Sequence, residues 1–250
     1  MMGNKLVEGL SLLTRKTEKI CDDIFMLDFR VVNAFMIRLH NGYWLLIDTG
    51  LENSEHFIKE AAEVNFGENP PDAILLTHGH FDHVGSLKAL TRYWNVSAYI
   101  HPEELAFITG QKDYPVPDDN ASDGFVAKMS ESFPHSSIDI GHFAAVLPEN
   151  GVVPFAGEWK WIFTPGHSPG HVSFFRESDR ILVSGDAIST VKQESLWSVL
   201  TQNEDITGPP SYLTEDFDLA KASIDRLTAL KPSLVLPSHG RPVDGDKLKD

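Results

Sequence analysis

The stretch Thr77-His78-Gly79-His80-Phe81-Asp82-His83, directly after the apolar run Ala73-Ile74-Leu75-Leu76, decides how this chain is read. A short apolar run that ends in polar residues marks a buried strand. Behind it, three histidines and an aspartate crowd positions 78–83. Imidazole and carboxylate are the usual donors to zinc and similar divalent ions. On an extended chain His78, His80 and Asp82 fall on one face. A turn at Asp82 then aims His83 at a neighbouring position, so one segment feeds two metal positions.

Upstream of this motif, Ile24–Leu27, Asn33–Leu39 and Tyr43–Ile47 alternate like strands. Asn41-Gly42 is a hairpin signal, because both residue types accept positive φ. Asp48-Thr49-Gly50 breaks the last of these strands. Phe57, Ile58, Ala61, Ala62 and Val64 then follow helical spacing over 53–66, up to Pro70-Pro71. Downstream, the spacing of Val84, Leu87, Leu90 and Trp94 predicts a helix over 83–94, followed by a strand at Ser97–Ile100. Pro102, Glu103 and Glu104 suit the first turn of a helix, with His101 before it as a cap.

Residues 110–150 are rich in Pro, Asp, Ser and Gly, yet Phe125, Met129 and Phe133 lie four apart. They predict a loop carrying one amphipathic helix, either a lid over the site or an insertion packed on the core. Strands resume at Val152–Phe155, Trp159–Phe163, Val172–Phe175 and Ile181–Val183, and 187–213 is a second irregular insertion. A helix is expected over 215–230 with Thr214 as its N-cap. The last strand is Leu234–Leu236. Residues 1–20 read as a loose arm, and 1–250 as a single domain.

The chain also echoes itself. Leu45-Leu46-Ile47-Asp48 resembles Leu182-Val183-Ser184-Gly185-Asp186, and Ile74-Leu75-Leu76-Thr77-His78 resembles Leu234-Val235-Leu236-Pro237-Ser238-His239. The echo predicts two similar β/α halves with their chemistry at the strand ends, where α/β proteins build sites. Three further candidate ligands stand at such ends. His167 lies in the tight loop Thr164-Pro165-Gly166-His167-Ser168-Pro169-Gly170-His171, Asp186 ends one strand, and His239 ends the last.

HxHxDH after a strand, a later TPGHxPGH, a strand ending in GD and a last strand ending in SHG resemble, in this order, the metallo-β-lactamase-fold hydrolases. The resemblance runs from about residue 24 to 243 and is closest to a poorly characterised bacterial branch. It implies an α/β fold, a four-layer αβ/βα sandwich, with two divalent metal ions at one edge of the paired sheets. Carried over, one metal takes His78, His80 and His167, the other takes Asp82, His83 and His239, and Asp186 bridges them. Asp48 matches the first motif of the family, where an aspartate orients the ligands. Its other reading is a helix cap. His171 matches a frequent histidine of the family that is not a usual ligand.

Two such metals share a water and make a hydroxide that attacks a carbonyl or phosphoryl centre. The family holds several activities, and the expectation here is a small ester, thioester or lactone as substrate, with Asp82 as the candidate catalytic proton carrier. Zinc leads by ligand type, and manganese and iron suit the same donors. A mononuclear iron oxygenase, a phosphodiesterase and an inactive binding protein on this scaffold are the alternatives. Gly185-Asp186-Ala187-Ile188-Ser189-Thr190 departs from the GDTLF-type segment of glyoxalase II. Trp197, Leu200, Phe125 and Phe133 are candidates for an apolar substrate pocket, with Lys192 to hold a carboxylate.

Composition narrows the partners. Among the 250 residues, 21 Lys and Arg stand against 36 Asp and Glu, a formal charge of −15. Such a chain repels phosphate backbones and anionic lipid. The expectation is therefore a small-molecule substrate, with no nucleic acid and no membrane. The single cysteine, Cys21, excludes an intramolecular disulfide and a cysteine-based zinc site. The start lacks a signal-peptide core, so a cytoplasmic protein is expected, and a homodimer by analogy with the family.

Overall fold

The computed structural model describes residues 15–249. They form two compact units. One comprises the chain up to residue 115 together with 134–147, and the other comprises 116–133 and the chain from 148 onward.

The first unit is a seven-stranded sheet covered by helices. Its strands are β1 (Lys16–Lys19), β2 (Ile24–Asp28), β3 (Asn33–Arg38), β4 (Trp44–Ile47), β5 (Ala73–Leu75), β6 (Ala98–Ile100) and β7 (Ala144–Val146), paired in that order. β1 to β4 run antiparallel, and β4 to β7 run parallel. β4 and β5 are buried at every position, which is why they read as unbroken apolar runs rather than alternating ones. Helices α1 (Glu55–Phe66), α2 (Phe81–Val84), α3 (Leu87–Trp94) and α4 (Leu105–Ile108) complete the unit. Trp44 anchors its core, stacked on Phe66 at 4.5 Å and edge-on to Trp94 at 5.7 Å.

Several expectations for this unit are corrected. Of the expected loose arm, residues 16–19 form the edge strand β1 on β2, and residues 1–14 lie outside the described residues. The hairpin expected at Asn41-Gly42 does join β3 to β4 antiparallel, but its connection runs over residues 39–43 rather than two residues. It makes a 3₁₀ turn at His40–Gly42, with Gly42 at φ 84°. The helix expected over 83–94 is two helices, because Gly85 and Ser86 bind elsewhere. Gly85 N–H donates to the Gly50 carbonyl, and Ser86 Oγ donates to Leu51 O while accepting from Ser54 N–H. β7 was not expected, since three partly exposed residues carry no periodicity.

In the second unit, β8 (Val152–Val153), β9 (Ala156–Phe163), β10 (Val172–Arg176) and β11 (Ile181–Gly185) form a meander. β12 (Ser189–Val191) and β13 (Glu204–Thr207) make a separate two-stranded ribbon. β14 (Leu234–Pro237) pairs parallel with β11, and β15 (Val243–Asp244) closes the edge. The six-stranded order is β15-β14-β11-β10-β9-β8. Helices α5 (Phe125–Met129), α6 (Leu196–Thr201) and α7 (Phe217–Ala229) belong here. Phe175, Leu182, Val235 and Leu227 pack as one cluster that joins α7 to the sheet.

Thr214 does not cap α7. Its hydroxyl donates to Pro210 O, and Asp216 takes the cap position by accepting from Leu219 N–H. The strand expected over 152–155 stops at Val153, because Phe155 turns at φ 65°. The two insertions are hydrogen-bonded to each other. Asp118 N–H donates to Tyr212 O, and Val126 N–H donates to Glu194 O. Residues 187–213, read as irregular, hold the ribbon and α6. Among the described residues, no helix is long and apolar enough to cross a membrane.

Candidate metal centre

Parallel neighbours in a sheet end at the same edge, so the loops that follow them are neighbours too. In the first unit β4 leads to Asp48 and β5 leads to the segment 76–83. The Asp48-Thr49-Gly50 turn grips that segment along its length. Asp48, at φ 58°, accepts from Thr77 N–H through Oδ1 (2.9 Å), and its Oδ2 accepts from Thr77 Oγ1 (2.8 Å) and lies 2.9 Å from His83 Nδ1. Thr49 donates to the His83 carbonyl twice, through N–H (2.7 Å) and Oγ1 (2.8 Å). Gly50 O receives Gly85 N–H. Asp48 is therefore no helix cap, since Ser54 precedes α1.

These contacts orient the imidazoles. A carboxylate on His83 Nδ1 favours the proton there and leaves Nε2 as the donor atom. Thr77 Oγ1, already donating to Asp48, is left to accept from His78 Nδ1 at 3.0 Å, which frees His78 Nε2 in the same way. His78 Nε2 then lies 2.9 Å from His80 Nδ1, and the Asp82 carboxylate lies 3.8 Å from His83 Nε2. His78, His80 and His83 are buried, and Asp82 is partly exposed.

The second unit assembles its own donors from three distant segments. Asp186 follows β11, and His239 follows the parallel strand β14. His167 sits on the loop between β9 and β10. Gly166 turns this loop at φ 128° against α7, where a Cβ would meet Ala220 N at 2.1 Å, so only glycine fits. One oxygen of Asp186 lies 3.2 Å from His167 Nε2 and 3.3 Å from His239 Nε2. All three residues are buried. Asp186 N–H donates to His171 Nε2 at 3.0 Å, and His171 Nδ1 lies 2.8 Å from Thr164 Oγ1. His171 thus fixes the backbone of Asp186, a role the sequence did not disclose. The repeated Gly-His of the TPGHSPGH loop was the signal available.

The donor sets suit a divalent ion. Two ligands at ~2.0–2.1 Å from one tetrahedral ion are ~3.3 Å apart. Three of the pairs above, at 2.9–3.3 Å, stand close to that spacing, and the Asp82–His83 pair is wider at 3.8 Å. His78, His80, Asp82, His83, His167, Asp186 and His239 all belong to candidate metal-holding groups.

Three of the residues expected to touch substrate come together in the second unit. Phe125, Lys192 and Trp197 line an open cavity of ≈ 800 Å³ with Asp205 and Thr207. Trp197 is 75% exposed and Phe125 56%. Phe133 is buried, its ring 6.2 Å from that of Tyr212. The side chain of Leu200 lies outside the described residues.

The model of the metallo-β-lactamase superfamily matches residues 27–239. The chain belongs to that superfamily. The probable metallo-hydrolase YflN of Bacillus subtilis (strain 168) is 43% identical over 226 residues, covering 89% of this chain and 86% of the relative. The crystal structure of the B3 metallo-β-lactamase BLEG-1 superimposes with a TM-score of 0.60 at 21% identity, over 94% of this chain and 95% of the other. TTHA1623, in a di-iron-bound form, gives 0.58 at 25% identity over 94% and 96%. The α/β class expected from the sequence is therefore the metallo-β-lactamase fold. The chain falls among probable metallo-hydrolases and carries candidate His/Asp metal-binding groups.

Proposed function

We propose that this chain is a dinuclear metal-dependent hydrolase of a small ester, thioester or lactone, with zinc as its metal. The observation that carries the reading is the Asp186 oxygen held between His167 Nε2 and His239 Nε2 at 3.2 and 3.3 Å. A carboxylate oxygen shared by two imidazoles suits a bridging ligand. His78 and His80 would join His167 on one ion, and Asp82 and His83 would join His239 on the other. A single iron would leave Asp82, His83 and His239 without a task, which disfavours the mononuclear oxygenase.

Two divalent ions, when bound, supply an activated water and polarise a carbonyl. The residues of the chain do the rest. Asp48 would hold His83 with Nε2 outward, and His171 would hold the peptide of Asp186. Asp82 is the most exposed of the seven, which supports it as the residue that would take a proton and pass it to a leaving group. Phe125, Trp197 and Lys192 would receive the non-reacting part of the substrate. The formal charge of −15 supports a small molecule rather than a nucleic acid.

Elemental analysis of wild type and Asp186→Ala tests the reading. About two zinc ions per chain in the wild type, fewer in the variant, and turnover of the thioesters or lactones in a panel that also holds phosphodiesters are the expected results. One iron per chain, with oxygen uptake, would replace this reading by the oxygenase. No metal after reconstitution would overturn it.

A further inference from the structure

We propose that Tyr114 and Glu104 are positioning residues that hold the His78-Gly79-His80 segment in its metal-binding shape. The inference rests on the reading of His78 and His80 as metal ligands. Neither residue stands in any of the metal-ligand motifs described above.

Glu104 is fully buried. A carboxylate inside a protein is costly unless its oxygens are hydrogen-bonded. Here one oxygen, Oε2, accepts from the Tyr114 hydroxyl and from Gly79 N–H at 3.2 Å. Gly79 N–H also donates to the Tyr114 hydroxyl oxygen at 2.9 Å. The three groups close a triangle, and each hydrogen in it points to an acceptor.

The peptide anchored in this way is the link between two ligands. Its orientation sets where the flanking side chains go, and on this chain they bring His78 Nε2 and His80 Nδ1 to 2.9 Å. Tyr114 also touches the segment a second time. Its ring lies 4.3 Å from the His80 ring, tilted by 52°, and is backed by Phe107, stacked at 3.8 Å and 8°. One side chain thus fixes the backbone before His80 and the imidazole of His80 itself.

The same contact accounts for the glycine. A Cβ on residue 79 would lie 2.8 Å from the Tyr114 hydroxyl and 3.4 Å from Phe107 Cβ. The pattern HxHxDH leaves this position open. In this chain Tyr114 occupies the space that a side chain would need, so residues 79 and 114 are coupled.

The test is a double-mutant cycle on the full chain with Tyr114→Phe, Gly79→Ala and both. Three quantities are read: Zn²⁺ affinity by competition with a chromophoric chelator, the visible spectrum of the Co²⁺-loaded protein, and the melting temperature of the metal-free protein. Tyr114→Phe is expected to weaken Zn²⁺ binding about 10-fold, the scale on which the partners of ligands act. It should also shift the Co²⁺ spectrum. Gly79→Ala should cost at least as much alone and less in the Tyr114→Phe background, where the clashing oxygen is gone. Glu104→Gln keeps an oxygen acceptor and so the fold, and is expected to weaken Zn²⁺ by a smaller factor. Variants that melt lower yet keep the wild-type affinity and spectrum would show a merely structural pair and overturn the inference. So would an additive cycle. A wild type that binds neither ion would overturn the proposed function as well, and so is distinguishable from a wild type that binds while Tyr114→Phe changes nothing.

Discussion

The two units present the same device in different ways. Each has a parallel strand pair in which one strand leads to an aspartate and its neighbour to a histidine, β4 with β5 in one and β11 with β14 in the other. In the first unit the donors sit within residues 78–83, and the turn after β4 clamps them through Asp48, Thr49 and Gly50. In the second they come from residues 167, 186 and 239, so that strand register and a glycine-turned loop place them. The aspartates have diverged accordingly. Asp48 faces a threonine and one histidine, and Asp186 shares one oxygen between two histidines. A contiguous motif can be clamped whole by one turn from the neighbouring strand, whereas a dispersed one depends on the frame that carries it.

That contrast is broken most severely at the shared oxygen. Asp186→Ala is expected to lower metal affinity, and kcat/KM with it, by more than the about 10–100-fold that loss of a partner behind a ligand costs. Metal content should fall with it. If turnover survives with full metal content, the second unit does not hold the bridging group. Asp48→Asn should be milder. An amide at 48 still accepts from Thr77 N–H but cannot accept from His83 Nδ1, so metal affinity is expected to drop about 10–100-fold while a folded chain remains. Titration with a chelator measures it, and an unchanged affinity would remove Asp48 from the positioning of His83. His171→Phe does the corresponding thing in the second unit by leaving the buried N–H of Asp186 without its acceptor. That costs about 1–3 kcal/mol, read as a shift of the denaturation curve of the metal-free protein. Smaller again is Trp197→Ala, at a side chain 75% exposed. Stability should move by no more than about 0.5 kcal/mol, with KM raised and kcat kept. A kcat loss equal to the rise in KM would show that Trp197 does more than bind.

How much of this was legible in the sequence follows from the same contrast. The first cluster was readable because its residues are adjacent. The second was readable only through strand ends and the family resemblance, since no local pattern joins residue 167 to residue 239. β1, β7 and β13 were missed because they are polar or small and partly or largely exposed, whereas the equally short β5 shows itself as a buried apolar run. Gly85 and Ser86 split a helix that reads as continuous, because their partners lie in the Gly50–Ser54 turn. Glu104 and Tyr114 left no trace as site residues, since their link to Gly79 spans 25 and 35 positions. Long-range hydrogen bonds of this kind are invisible to spacing, and a small residue inside a ligand motif is the one local sign of them.

The smallest effect concerns pH, at the strand beside the first cluster. His101 follows β6 and accepts from Glu103 N–H through Nδ1, which requires that nitrogen to be unprotonated. Burial lowers its pKa from the usual histidine value, and the Glu103 carboxylate opposes that only in part. In the unfolded chain the imidazole returns to about 6.5. Between the lowered folded value and the unfolded one, the unfolded state binds more protons, and stability rises with pH wherever that holds. The contribution of His101 is therefore complete above about pH 6.5 and is lost as pH falls through the folded value. His101→Asn keeps an oxygen acceptor for the cap and cannot titrate. In urea denaturation of the metal-free protein at pH 7.5 and 5.5, the wild type should lose more of its midpoint than this variant. Both proteins keep the histidines of the two clusters, so their titration cancels in the comparison. Equal losses would mean that His101 has the same proton affinity folded and unfolded, and that the cap of the turn after β6 tolerates a charged ring.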